Sequence, residues 1–437
     1  MSSLTVIVPT TGQSAPPRRL AFATFIGTAI EFYDFYLYGI AAALIFPAVF
    51  FTELDPVAGT LAALSTFGAA FVARPAGALI FGARGDRYGR KAALVWTLLL
   101  TGLATVAIGL LPGYAAIGVA APVMLTLLRL AQGVGLGGEW AGAALLAAEH
   151  APPGRRGRFA VGTQLGPAAG FILANGAFLL LDRMLGGDAF ESWGWRLPFA
   201  ASMLLVLLGL WTRLRIADAP IYRTAERSAS PLRDLLRHQW RQVLLGAGVM
   251  IPGYALFYTT TVYFLAYGTR QLGVPRTTML LVTLAGVAVM GATTAASAIL
   301  SDRAGRRRTL LVATGLAAVW SAGMPALVGR GTMWWTAVAV VGALAIMGLM
   351  YGPKGALLPE LFETRYRYSG AALAYNLGGI VGGAITPVVA TLLRPETVGW
   401  YLSALALVGL LCLRALPDHT AHSLNRDQGV PQVVRAT

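Results

Sequence analysis

Six ionisable residues lie inside long apolar runs of this sequence: Glu31, Asp34, Arg74, Arg129, Glu139 and Lys354. A charge at the centre of a membrane helix costs about 2.5–3.5 kcal/mol on insertion scales, so six facing lipid would cost well over ~10 kcal/mol. They must face a protein interior, in pairs or in water. Glu31 and Asp34 are three residues apart and share one helix face. At about 1.5 Å per residue they sit some 17–21 Å into their run, near mid-membrane. Two neighbouring carboxylates in a low dielectric do not readily ionise together, so one is expected to hold a proton. That is the chemistry of a proton-coupled carrier, in which protonation changes which conformation is favoured. Asp34 is read as the main proton site, with Glu31 as its helper or as a partner of Arg74 or Arg129. A permanent structural ion pair is the other reading.

Glu139 follows Arg129 by ten residues, about 15 Å deeper along a helix, and joins the proton-coupling candidates. Around it Gly133, Gly137, Gly138 and Gly142 fall at spacings that permit close helix approach. Gly378, Gly379, Gly382 and Gly383 read the same way. Lys354 stands one residue after Pro353 and either meets an anionic substrate, pairs with a membrane carboxylate or snorkels to the inner interface. Tyr254, Tyr258, Thr259, Thr260 and Tyr263 add hydroxyls to an apolar run. With Tyr375, Asn376 and Gln164 they form a candidate hydrogen-bonding lining for a polyol or hydroxy acid, the alternative being plain packing.

The elements that must carry these residues follow from composition. Of 437 residues, 56% are hydrophobic and 12% are charged, and mean hydropathy is +0.65. Soluble domains carry roughly 25% charged residues, so most of this surface meets lipid. The 52 glycines suit a bilayer, where close packing by small residues holds helices together. Cys412 has no partner cysteine, and His150, His238, His419 and His422 all lie outside the apolar runs. Disulfides, Cys/His metal sites and resident cofactors are therefore not expected. Met1–Arg19 lacks the pattern of a cleaved signal peptide, so the first run is expected to remain as a span.

Runs of about 20 apolar residues are long enough to span a bilayer. Six fall within 20–215 and six within 241–415, with a cytoplasmic linker at 216–240 and cytoplasmic tails at 1–19 and 416–437. The expected fold is an all-α polytopic membrane protein of twelve helices in two six-helix bundles. With the N-terminus inside, 25 of the 34 basic residues fall on the cytoplasmic side and 6 on the outer side, while the acids divide 10 and 6. The net charge of +15 is thus accounted for by the positive-inside rule and does not call for nucleic acid. The linker, with Arg223, Arg227, Arg233 and Arg237, reads as a solvated segment beside anionic lipid heads.

One segment repeats. After Gly82, Asp86, Arg87, Gly89, Arg90 and Lys91 recur as Asp302, Arg303, Gly305, Arg306 and Arg307, the two aspartates 216 residues apart. A doubled six-span half marks a transporter built from two bundles around a central site. D-R-x-G-R-[KR] suits a cytoplasmic gate, with glycine for a tight turn and Asp–Arg pairs that break and remake as the bundles rock.

This doubled motif resembles the major facilitator superfamily. Within it, five further stretches look like those of the metabolite:proton symporters. They are Glu31 to Asp34 with Phe35, Arg74-Pro75, Arg129 to Trp140, Trp193 to Phe199, and Pro359 to Gly370 followed by Tyr375-Asn376. The resemblance runs from about residue 20 to 415. It implies the twelve-span fold and import with protons of a small polar metabolite, the family's substrates including shikimate, oxoglutarate, citrate, and proline or betaine. It also implies a role for Arg129, either holding the substrate carboxylate or pairing with a carboxylate of the first span. At Lys354 relatives tend to carry a neutral residue such as glutamine; a lysine lining the cavity favours an anionic substrate over betaine.

The expected function is import of an organic (hydroxy)carboxylate, such as shikimate or a di- or tricarboxylate, by alternating access. Gly162 to Gly170 loosely resembles the G-x-x-x-G-P-x-x-G element of proton-coupled exporters, which makes export of a metabolite or drug the alternative. No catalytic constellation can be assembled, so an enzyme is not expected. The expected partners are substrate, protons and the lipid bilayer, with the monomer as working unit in a bacterial inner or plasma membrane.

Overall fold

The computed structural model describes residues 17–88, 90–149, 151–152, 154–215, 231–363 and 367–416, and these are helical with no strand among them. The first half forms α1 (Pro17–Leu44), α2 (Pro56–Tyr88), α3 (Arg90–Leu110), α4 (Ala120–Leu136, resuming as Glu139–Glu149), α5 (Arg156–Leu185) and α6 (Arg196–Arg215). The second half forms α7 (Trp240–Arg270), α8 (Arg276–Ala304), α9 (Arg306–Val328), α10 (Met333–Tyr351, resuming as Lys354–Glu360), α11 (Arg367–Leu392) and α12 (Pro395–Ala415). Among the described residues, nine helices are long and apolar enough to cross a membrane, and α6 with the bent turn before it makes a tenth. The other two differ for visible reasons. α1 carries Glu31 and Asp34 in mid-helix, and α3 is apolar only over Val95–Leu110. A short helix, Pro231–His238, lies inside the expected linker, while residues 216–230, with Arg223 and Arg227, fall outside the described ones.

The packing is a doubled pattern. α1 lies on α5, α2 on α4 and α3 on α6; in the second half α7 lies on α11, α8 on α10 and α9 on α12. The halves meet along two seams, α5 against α8 and α11 against α2, which exchange under the same pseudo-twofold. Glycines at matching positions make the close approaches. On α4, Gly133 and Gly137 sit against the backbone carbonyls of Ala70 and Arg74 on α2, and on α10 Gly348 and Gly352 sit against those of Met290 and Thr294 on α8. Likewise Gly166 and Gly170 press α5 onto Thr28 and Ala29 of α1, as Gly378 and Gly382 press α11 onto Ala247 and Ile251 of α7. In lipid, association depends on such close contact. The outward faces carry bare apolar side chains such as Trp96, Leu110, Leu204, Val319 and Leu411.

Four helices are irregular where they pass the centre, the symmetric mates α4 and α10 and, besides them, α7 and α11. α4 opens at Gly137-Gly138 and α10 at Gly352-Pro353. α7 widens to a π turn at Thr259–Tyr263, and α11 at Ile380–Ile385. In α7 the hydroxyls of Thr260 and Thr261 donate 2.8 Å hydrogen bonds to the carbonyls of Leu256 and Phe257, a back-bonding that bends helices. In α11 Pro387 has no N–H for the carbonyl one turn earlier. Such turns cluster at functional sites.

Candidate functional site

Between the halves lies a narrow cavity. Phe32 and Tyr36 of α1 and Pro167 of α5 form one wall, and Tyr254, Phe257 and Tyr258 of α7 the facing one. Met250, Met290 and Met347 converge from α7, α8 and α10, and Tyr351, Lys354 and Tyr375 close the cytoplasmic end. The break in α10 sets Lys354 here, because Pro353 cannot continue the hydrogen-bond ladder. Its ammonium is buried at 1% exposure, and Nζ has no hydrogen-bond partner among the described residues. Gly253 faces it closely; a Cβ there would stand 2.8 Å from Nζ. The hydroxyls of Tyr254, Tyr351 and Tyr375 are near enough to act on one another, as are those of Tyr36 and Tyr258.

The remaining membrane charges sit beside this cavity, within the first bundle. Asp34 is buried and accepts a 2.6 Å hydrogen bond from Ser202 Oγ of α6. The Gln132 amide bridges its backbone carbonyl and Thr105 Oγ1 on α3, at 3.4 and 2.7 Å. Glu31 is buried and acts electrostatically on Arg74. The Arg74 guanidinium lies over the rings of Phe35 and Phe71, at 4.3 and 4.7 Å. Arg129 is fully buried and hydrogen-bonds Gln132. Its guanidinium stacks on Phe35, Tyr38 and Phe67 at 4.4, 4.1 and 5.0 Å, a geometry that suits its planar cation. Arg129 therefore lies outside the cavity lining, behind a screen of rings. Glu139 is buried at the start of the resumed α4.

Two candidates for substrate contact bridge the halves instead. Gln164 Nε2 of α5 donates a 2.6 Å bond to the Tyr351 carbonyl at the break in α10. Asn376 Nδ2 of α11 donates a 2.7 Å bond to the Gly137 carbonyl at the break in α4. The two are pseudo-twofold mates, each satisfying a carbonyl freed by an interrupted helix, as buried backbone in a membrane requires. Trp140 and Tyr375 stack across the same seam at 3.9 Å, and Tyr368 OH donates to the Gly138 carbonyl at 2.8 Å. Tyr263 lies apart, buried in the π turn and stacked on Tyr267.

Nearer the cytoplasm, Asp302 reaches across the seam to the start of α5. Its carboxylate accepts from the backbone N–H groups of Gly157 and Arg158, both at 2.8 Å. α5 has no side-chain cap of its own, so Asp302 fills the N-cap role from the other half. Arg306 pairs with Asp302 at 2.6 Å and with Glu360 at 3.5 Å, and Glu360 pairs with Arg156 at 3.1 Å. Gly305 makes the turn between α8 and α9 at φ +88°, a left-handed conformation that glycine adopts without strain. Arg303 is exposed. In the first copy Gly89, and the side chains of Asp86, Arg87 and Arg90 along with residue Gly82, fall outside what the structure describes.

The outer side is tied as well. Arg276 at the head of α8 contacts Asp182 and Glu191, and Thr277 Oγ1 donates to Asp182 at 2.9 Å. Arg270 contacts Thr60. The halves are thus tied on both sides of the cavity.

Known proteins share this architecture. The chain matches the Major Facilitator Superfamily over residues 24–375. It belongs to that superfamily. It is 43% identical over 417 residues to the inner membrane metabolite transport protein YhjE of Escherichia coli K12, covering 92% of this chain and 94% of that one. It is 36% identical over 414 residues to the shikimate transporter of Escherichia coli K12, covering 91% and 93%. The proline/betaine transporter of the same organism is 31% identical, covering 90% of this chain and 82% of its own. Among solved structures, the proton:xylose symporter XylE bound to 6-bromo-6-deoxy-D-glucose superposes with a TM-score of 0.75 over 93% of this chain and 97% of that one. At 16% identity that likeness bears on the fold alone. The protein is a multi-pass transporter of the cell membrane, not an enzyme, and moves a small metabolite by secondary transport.

Several working parts of this transporter carry no signal in the sequence. The three cavity methionines sit in three separate apolar helices, and Ser202 is one serine in another. Asp182, Glu191 and Arg276 read only as charges in outer loops. Glu360 and Arg156 belong to loop-adjacent stretches whose pairing depends on the seam.

Proposed function

We propose that the transporter imports an organic carboxylate together with protons, by alternating access around the central cavity. The observation that carries the substrate charge is Lys354. A buried cation with no partner is costly unless something supplies the counter-charge, and a carboxylate entering the cavity does so. Gly253 leaves the ammonium room to receive it.

Asp34 is the proton site in this reading. Its carboxyl has a hydroxyl donor and no ion pair among the described residues, so it can take up or release a proton without breaking one. Glu31 balances Arg74, and Arg129 stiffens the screen between proton site and cavity. Cytoplasmic opening then requires release of Asp302 from α5, of Glu360 from Arg156, and of the two amide bridges. Outward opening requires release of Arg276 and Arg270. Gly166 and Gly170 of the exporter-like element are accounted for by the contact of α5 with α1, so import is the reading kept.

The test is uptake into proteoliposomes with an imposed inward proton gradient, with and without a protonophore, using a panel of carboxylates and glycine betaine. Protonophore-sensitive accumulation of a carboxylate, lost in Lys354→Gln, is the expected result. Loss of preloaded compound as protons enter would instead show export.

A further inference from the structure

Proposed import of a carboxylate leaves the rest of the substrate open, and the cavity wall bears on it. Lys354 is the one charged side chain in the lining. Arg74, the next cation, lies over Phe35 and Phe71 outside the lining, and its charge acts on the lining hydroxyls of Tyr254, Tyr258 and Tyr375 and on Glu31. One carboxylate is therefore matched by a cation here and a second is not; a buried carboxylate without a partner is strongly disfavoured. A quaternary ammonium would meet the aromatic rings well, but it would also lie beside the Lys354 charge.

The body of the substrate meets a wall poor in polar atoms. Apart from Lys354 its side chains are aromatic rings, three methionines and a proline, and its other polar side-chain atoms are the hydroxyls of Tyr36, Tyr254, Tyr258, Tyr351 and Tyr375. Met250, Met290 and Met347, buried and drawn from three helices, offer polarisable thioethers that pack well on aromatic rings. Phe257 and Tyr258 present ring edges and faces, at 5.0 Å and 89° to each other, as aromatic partners prefer. A saturated ring bearing hydroxyls on several sides would leave some of them against methyl and thioether groups, unpaired.

We propose that the cavity selects an aromatic monocarboxylate of the hydroxybenzoate type, its carboxylate on Lys354, its ring against Met250, Met290 and Met347, and its hydroxyl within reach of a tyrosine. The proposal rests on Lys354 being the carboxylate anchor. It is tested by binding to the purified full-length transporter in detergent, read by tryptophan fluorescence and thermal shift. The probes are benzoate, 4-hydroxybenzoate, shikimate, 2-oxoglutarate and glycine betaine, on the wild type, Lys354→Gln and Met290→Thr. The expected result is that 4-hydroxybenzoate binds at least about tenfold more tightly than shikimate, 2-oxoglutarate or betaine. That binding should be lost in Lys354→Gln, and the margin over shikimate should narrow in Met290→Thr. Tighter binding of shikimate or 2-oxoglutarate, still lost in Lys354→Gln, overturns the aromatic class and leaves the anchor standing. Tightest binding that survives Lys354→Gln overturns the anchor, and the aromatic proposal with it. Absence of binding by both benzoates also overturns it.

Discussion

Lys354 combines a stability cost with a functional use, and the two can be measured apart. Replacing it with methionine removes a buried ammonium whose membrane cost is about 2.5–3.5 kcal/mol. The expected outcome is a substrate-free protein that is more heat-stable in detergent, by up to about 2 kcal/mol, and has no carboxylate uptake. A variant that loses stability would mean that Lys354 has a structural partner. Asp34 makes a different prediction. With Asp34→Asn, proton-driven accumulation should be abolished while substrate counterflow continues, because asparagine keeps the size and the Ser202 contact but cannot change charge. Gradient-driven uptake at the wild-type rate would remove Asp34 from the coupling step. For both residues, type and run told the sequence reader that a charge was buried. Neither told which neighbour it faced, since Ser202 and Gly253 are 168 and 101 positions away.

The helices use their breaks as functional parts. The openings in α4 and α10 free the carbonyls to which Asn376 and Gln164 donate from the opposite half. Each such neutral buried bond contributes about 1 kcal/mol, so losing both shifts a balanced equilibrium roughly tenfold or more. The double variant Gln164→Ala/Asn376→Ala is expected to populate an inward-open state. Spin labels at the exposed positions Arg155 and Arg303 should then report a longer distance, and an unchanged distance would count against the bridge role. The packing glycines predict the opposite kind of failure. A valine at Gly170 would drive its branched side chain into Ala29 and Tyr33 of α1, and expression of folded protein should collapse without any change specific to substrate. These glycines were legible as four-residue spacings, though the spacing did not say which helix each one met.

At the scale of the molecule, two half-chains of like packing enclose one cavity and are held at both ends. The cytoplasmic end is the more heavily tied, through Asp302 on the start of α5 and Glu360 between Arg156 and Arg306. Removing one partner of a buried ion pair costs about 3–5 kcal/mol, since the other charge is stranded. Glu360→Gln removes the carboxylate that Arg156 and Arg306 share, while Arg306 keeps Asp302, and is expected to lower the unfolding midpoint in detergent markedly, with loss of the closed cytoplasmic end. Asp182→Asn, at a more exposed pair, should have a much smaller effect on stability while loosening the outer end. Comparable effects from the two variants would contradict the unequal burial on which this rests.

By itself the sequence determined the membrane class, the twelve runs, the doubling and the six charges inside the apolar runs. Each of these follows from properties that act locally along the chain: the apolar length that spans a bilayer, the bias of basic residues between loops, and the cost of a charge in lipid. Helix-spaced glycines added that some helices approach closely. Only the tertiary structure decided that Arg129 lies among Phe35, Tyr38 and Phe67 while Lys354 opens to the cavity, and that Gln164 and Asn376 bridge the halves. It also brought three methionines from three helices to one wall. Side chains from one apolar run can face lipid, a neighbour or the cavity, and a rotation of about 100° per residue decides which. That rotation is set by contacts with helices far away in the chain, so no stretch of sequence encodes it alone.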